Sequence, residues 1–183
     1  QQPQKQQQHG LEKSVPRLTI AFEAKSIDGK SKVVNMTNHV YLNLRGEGNG
    51  DILGHVLKLN ASRFTPVVSS ESLIPTGEIA SVVGTELDFW SEPHPIGERI
   101  TRAHGGVGYD HNFVIDGGEE GKKVMRFAAR VEEPTSGRVV QVHTTQPGIQ
   151  LYTGFWLDVK GIGKGGKDYS RWQGFCLETQ HFP

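Results

Sequence analysis

Along much of this chain apolar and polar positions alternate at a period of two, the spacing that sends successive side chains to opposite faces of a β-strand. In residues 17–24, Leu18, Ile20 and Phe22 alternate with Thr19, Ala21 and Glu23. In residues 35–44, Val40, Leu42 and Leu44 fall on one face, and His39, Tyr41 and Asn43 on the other. Further strands are predicted over 55–61, 79–83, 111–115, 124–131, 138–145, 149–153 and 174–179. Turns and loops separate them, at Asp28-Gly29-Lys30, 46–50, Pro75-Thr76-Gly77-Glu78, 93–97, 105–108, Gly117-Gly118, Ser136-Gly137 and 161–167. No window holds an amphipathic helix of four turns, and there is no internal repeat. The pattern predicts an all-β fold, a large sandwich of antiparallel sheets.

Composition supports that prediction: 23 glycines and 9 prolines among 183 residues are too much punctuation for a helical bundle and suit many short strands. The 20 basic residues balance the 20 acidic ones, which leaves no electrostatic footprint for nucleic acid or an anionic membrane. No apolar run approaches the roughly 20 residues of a membrane span, and the N-terminus lacks the pattern of a signal peptide. Cys176 is the only cysteine. Alone it supports neither a disulfide framework nor a cysteine-based zinc site, and it fits a reducing, cytoplasmic setting. Residues 1–8 are glutamine-rich and cannot supply a core, so 1–16 are expected to form a disordered head and 17–183 the folded domain.

Gly161-Ile162-Gly163-Lys164-Gly165-Gly166-Lys167 has the spacing of a phosphate-binding loop. Asp168 follows where Ser or Thr is needed, and no helical pattern comes after, so the run reads as a glycine-rich loop. The histidines at 9, 39, 55, 94, 104, 111, 143 and 181 make no H-x-H or H-x-x-x-H pair. Spacing alone leaves open a metal site assembled from distant strands. The polar strand faces are more informative. His39 shares a face with Tyr41 and Asn43, Asp110 with Asn112, Gln150 with Tyr152, and Glu178 with Cys176 and Gln180. An imidazole, two carboxylates, amides and aromatic rings suit a polyhydroxylated ligand such as a sugar. A His and a Glu on opposite sides of that ligand form an acid/base pair. A carboxylate as close to Phe175 and Leu177 as Glu178 sits either at a rim or paired in a cleft, and partial burial would push its pKa toward the range of a general base.

From about Leu18 to Pro183 the chain resembles the aldose 1-epimerases. Seven segments carry the resemblance, in the family's order: Asn35-Met36-Thr37-Asn38-His39 with Tyr41 and Asn43-Leu44; Ile74-Pro75-Thr76-Gly77-Glu78; Gly84-Thr85-Glu86-Leu87-Asp88-Phe89; Gly108-Tyr109-Asp110-His111-Asn112-Phe113; Thr144-Thr145-Gln146-Pro147-Gly148-Ile149-Gln150; Tyr152-Thr153-Gly154; and Cys176-Leu177-Glu178-Thr179-Gln180. The resemblance implies a large β-sandwich and the interconversion of α and β anomers of hexoses such as galactose and glucose. By position His39 matches the family's catalytic acid, Glu178 its base, and Asp110 and Gln150 residues that hold sugar hydroxyls. No metal, nucleotide or other cofactor is implied, and the partner is a small hexose. The family's chain begins earlier, and its N-terminal half supplies an Asn-Arg pair and a second active-site histidine. It also continues past the Glu-Thr-Gln strand. The sequence therefore resembles a C-terminal half, incomplete at both ends, and the alternative to an enzyme is a non-catalytic sugar binder or truncated remnant. Leu42, where the family prefers Phe, is a conservative core change.

Overall fold

A computed structural model describes residues 15–69, 72–118 and 123–183, so nearly all of the expected glutamine-rich head lies outside the described residues. The chain divides after Val34 into two units. In the first, residues 15–34 are exposed, and the alternation at 17–24 does not produce the expected strand. A strand is completed by a partner's hydrogen bonds, and residues 17–24 join no ladder among the described residues. The turn at Asp28-Gly29-Lys30 does form. Asp28 Oδ1 accepts from the Ser26 hydroxyl at 2.8 Å and from the Lys30 N–H at 3.1 Å, around Gly29 at φ +70°.

The second unit, Asn35–Pro183, holds nine short strands among its described residues: β1 (Val56–Leu59), β2 (Arg63–Thr65), β3 (Ala80–Ser81), β4 (His94–Pro95), β5 (Asp110–Val114), β6 (Arg126–Glu133), β7 (Arg138–Thr144), β8 (Gly148–Tyr152) and β9 (Cys176–Gln180). They form two antiparallel sheets, ordered β4-β1-β6-β7 and β3-β2-β5-β8-β9. The described residues contain 3₁₀ turns but no α-helix, and no helix long and apolar enough to cross a membrane. The all-β prediction holds, while individual boundaries move. β2 and β4 fall in stretches that carry no strand pattern, being three and two residues long. β4 includes Pro95 and lies at a sheet edge, where a missing N–H is tolerated. The strand expected at 79–83 shrinks to two residues ahead of the turn at Gly84, whose φ is +77°.

One hydrophobic core joins the two sheets. Leu57 and Leu59 of β1 and Ala129 and Val131 of β6 come from the first sheet. Phe113 of β5, Ile149 and Leu151 of β8 and Leu177 of β9 come from the second, with Phe175 just ahead of β9. Each such side chain contributes about 1.5–3 kcal/mol on full burial. This inward set fixes the facing of β5, β8 and β9, because a slip of one residue would exchange core and cleft faces. What remains on the other face of those strands is the polar set.

Candidate active site

Ladder register brings the polar residues into rows. Asp110 pairs with Tyr152, which pairs with Cys176; Asn112 pairs with Gln150, which pairs with Glu178. The diagonal across the first pair of strands is closed by Gln150, whose Nε2 donates to Asp110 Oδ1 at 2.7 Å. Asn112 is anchored by its carboxamide donating to Thr65 Oγ1 at 3.2 Å. Gly148 allows this close packing, since a Cβ there would stand 2.6 Å from Asn112 Oδ1. On the face opposite Asp110, His111 is buried and its Nδ1 accepts the Asp110 backbone N–H at 3.1 Å. Burial, then the neighbouring His104, pushes the His111 pKa down to about 4, so it stays a neutral acceptor.

His39 comes from outside the sheet. The segment 35–44, expected as a strand, is instead an extended stretch with a single bridge, Leu42 to Phe175. Leu42 N–H donates to Phe175 O at 2.8 Å, and Phe175 N–H returns a bond to Leu42 O at 3.0 Å. At the other end the Asn35 side chain donates to His181 O at 3.0 Å and accepts from His181 N–H at 3.1 Å. Between these anchors Asn38 Oδ1 takes the Val40 N–H at 3.1 Å. Asparagine side chains thus do what a ladder would have done. Asn43, expected on the cleft face with His39 and Tyr41, leaves it because the chain turns at Leu44. Its amide donates to Gly50 O and Gln173 O at 2.9 and 3.1 Å.

The result is a cleft of about 500 Å³ whose lining includes His39, Tyr41, Asp110, Gln150, Tyr152 and Glu178. All four residues singled out from the sequence as acid, base and hydroxyl contacts border it. His39 Nε2 lies 3.5 Å from Glu178 Oε1, with side-chain exposures of 52% and 10%. The two groups are direct neighbours within the cleft lining. Tyr41 and Tyr152 flank the imidazole, their ring centroids 5.2 and 6.1 Å from it. Trp156, Thr65 and Val67 also line the cleft. The strand pattern carried no signal for them, since Trp156 lies in a loop and β2 is only three residues long.

Electrostatics in the cleft favour a proton acceptor at Glu178. Burial raises its pKa above the ordinary 4.5, His39 opposes the shift, and the Asp110 carboxylate adds to it. Burial likewise raises Asp110, partly offset by the Gln150 hydrogen bond. The Cys176 thiol is pushed up to about 12 by burial and then by Glu178 and Asp110, and burial first of all takes the Tyr41 phenol to about 12. Both are therefore protonated at neutral pH.

Comparison with known proteins places this architecture. The family model described as aldose 1-epimerase matches residues 4–183. The galactose mutarotase of Bos taurus is 49% identical over 166 residues, 91% of this chain and 46% of that protein. The aldose 1-epimerase of Escherichia coli K12 is 37% identical over 169 residues, again 91% of this chain and 46% of that protein. Among solved structures, the GalM/aldose epimerase homologue from C. elegans superposes with a TM-score of 0.65 at 27% identity, covering 80% of this chain and 42% of that one. The galactose 1-epimerase of Lactobacillus acidophilus gives 0.60 at 25% identity over 81% of this chain and 40% of that one. A two-sheet antiparallel sandwich with a polar cleft on one sheet is the class these features define. The chain belongs to the aldose 1-epimerase family. It spans about half the length of the curated relatives it matches.

Proposed function

We propose that the cleft interconverts the α and β anomers of a free hexose, galactose and glucose foremost, with His39 as general acid and Glu178 as general base. The observation that carries this reading is their 3.5 Å separation. In a hemiacetal the anomeric hydroxyl oxygen and the ring oxygen are bonded to the same carbon. The group that removes a proton from one and the group that protonates the other must therefore both reach the same carbon's oxygens, which a close pair can do. Glu178 takes the proton of the anomeric hydroxyl, and its O–H electron pair becomes the second bond of the aldehyde. The bond from the anomeric carbon to the ring oxygen breaks as His39 delivers a proton to that oxygen. Rotation about the bond next to the aldehyde presents its other face. His39 then takes the proton back, the ring oxygen re-attacks, and Glu178 returns its proton to the new anomeric hydroxyl. The cycle leaves both residues as they began.

Asp110 and Gln150, already tied to each other, accept from and donate to hydroxyls at the far side of the ring. Tyr41, Tyr152 and Trp156 offer apolar faces to the sugar's C–H groups. A cleft of about 500 Å³ falls in the range of small-molecule sites. The single unpaired cysteine supports a cytoplasmic setting for this chemistry. A non-catalytic sugar-binding reading draws on one observation, the half-exposed side chain of His39, because proton transfer is strongest in a water-excluded site.

Polarimetry of freshly dissolved α-D-galactose and α-D-glucose separates the two. The epimerase reading expects equilibration faster than buffer with wild type, and loss of that acceleration in His39→Ala and in Glu178→Ala. A folded wild type that binds galactose calorimetrically yet matches buffer overturns it in favour of the binder.

A further inference from the structure

Beside the cleft-lining His39 and Glu178 lies one fully buried thiol, a metal-ligating group for which the proposed reaction has no use. Cys176 Sγ lies 3.4 Å from His39 Nδ1, while the other ring nitrogen of His39 faces Glu178 Oε1 at 3.5 Å. Taking one donor atom from each, His39, Cys176 and Glu178 lie within 4.8 Å of one another. A tetrahedral zinc ion holds thiolate sulfur at about 2.3 Å, imidazole nitrogen at about 2.0–2.1 Å and carboxylate oxygen at about 2.0–2.2 Å, which sets donors roughly 3.3–3.8 Å apart. The three donors here need to close by no more than about 1.5 Å to meet that geometry.

We propose that His39, Cys176 and Glu178 form a binding site for a borderline-soft divalent cation of the zinc type, which occupies the acid/base pair and excludes the sugar. The backbone supports the closure. Cys176 and Glu178 are two apart on β9 and share a face held by the ladder to β8. His39 sits between the Leu42 bridge and the Asn35 clamp on a segment outside any ladder among the described residues, so its ring is the ligand with freedom to adjust. One thiolate, one imidazole and one carboxylate select zinc-like ions over magnesium or calcium, which take all-oxygen sets. Three protein ligands leave a fourth position, and His39 and Glu178 both line the cleft, so that position opens where the sugar would lie. On binding, the cation displaces the thiol proton to the buffer and takes one neutral nitrogen of His39. The cation site itself does not depend on the epimerase reading; only its competition with sugar does.

Cobalt(II) titration of the whole chain tests the site, because Cys176 is the only cysteine and any thiolate-to-cobalt charge-transfer band must arise from it. One equivalent of cobalt should bring up that near-ultraviolet band, and zinc should abolish it. His39→Ala and Glu178→Gln should each weaken cobalt binding at least about 10-fold, and Cys176→Ser should remove the band while circular dichroism stays unchanged. Absence of the band in wild type, or its persistence at unchanged affinity in both His39→Ala and Glu178→Gln, overturns the site. Saturating α-D-galactose should shift the titration to higher cobalt; a titration unmoved by galactose that demonstrably binds overturns the competition. If galactose does not bind at all, the epimerase reading fails while the band still decides the cation site.

Discussion

Glu178→Gln should do two opposite things to this molecule. The substitution keeps the shape of the side chain and removes its ability to carry a charge or take a proton. If Glu178 is the general base, the loss in kcat/KM for galactose equilibration should be about 100- to 10,000-fold, which is about 2.7–5.4 kcal/mol of transition-state stabilisation. Stability should move the other way. The pKa of Glu178 in the folded chain lies above its ordinary 4.5 because burial, with Asp110 nearby, penalises the ionised form. A carboxyl whose folded pKa is raised binds its proton more tightly folded than unfolded. Its favourable contribution is fully present below pH 4.5 and is lost as pH rises through the raised value. At neutral pH wild type therefore buries an unfavourable charge that glutamine lacks. The variant also loses the contact with His39, but that pair is half exposed on the histidine side. Exposed pairs are worth only about 0–1 kcal/mol, and the His39 contribution is already included in a net upward shift.

The assay is polarimetry together with thermal melts at neutral pH and again below pH 4.5, the ordinary carboxyl value. The variant should melt higher than wild type at neutral pH, and the gap should close in acid. A variant that keeps more than a tenth of wild-type activity refutes the role of base. A variant that melts lower than wild type at neutral pH refutes the electrostatic argument.

Three further outcomes follow from other parts of the fold. Asp110→Ala should lower kcat/KM for galactose about 10- to 150-fold, the worth of a hydrogen bond to a charged group, and steady-state polarimetry over a range of sugar concentrations reads it. Gly154 has φ +61°, and a Cβ there would stand 2.5 Å from Gly174 O, so Gly154→Ala should destabilise by more than the roughly 1–2 kcal/mol of left-handed backbone alone; urea unfolding measures it. The Glu133 carboxyl is held down at about 2, chiefly by hydrogen bonds from Ser136 and then Thr135. Its stabilisation is present above the unfolded value of 4.5 and is lost as pH falls toward 2, so Glu133→Gln should flatten that part of the acid-unfolding curve in a pH-dependent melt series.

The strands richest in alternating apolar residues were the ones legible in the sequence. β1, β5, β6, β7, β8 and β9 each lie within about two residues of where period two placed them, because their inward residues are in the core or packed against it. Segments 17–24 and 35–44 carry the same alternation and form no ladder among the described residues. Alternation reports a side-chain preference, and whether a partner strand is there to use it is a tertiary fact. Residue type and family resemblance singled out four residues that the structure brings to one cleft, whereas their mutual distances were not legible. His39 and Glu178 are separated by most of the chain, and nothing in local sequence says that Asn35 fastens the His39 segment alongside β9 through the backbone of His181. The approach of Cys176 to His39 was hidden for the same reason.

That fastening bears on how the pair would work. Glu178 sits on a strand whose other side is bonded to β8 through five paired positions, so its carboxylate is aimed by the sheet. His39 faces it from a segment joined to the chain beside it by one bridge and an amide clamp, with half of its side chain in solvent. A fixed base and an adjustable acid suit a reaction in which one oxygen keeps its carbon while the other leaves that carbon and returns. The anomeric oxygen stays bonded throughout but swings across its carbon when the bond next to the aldehyde rotates, so a fixed carboxylate would have to reach it in both positions. The ring oxygen moves away when the ring opens, and the group that serves it must follow. On the proposed mechanism the missing ladder at 35–44 would let the acid follow the ring oxygen, and the sheet register would hold the base within reach of the aldehyde.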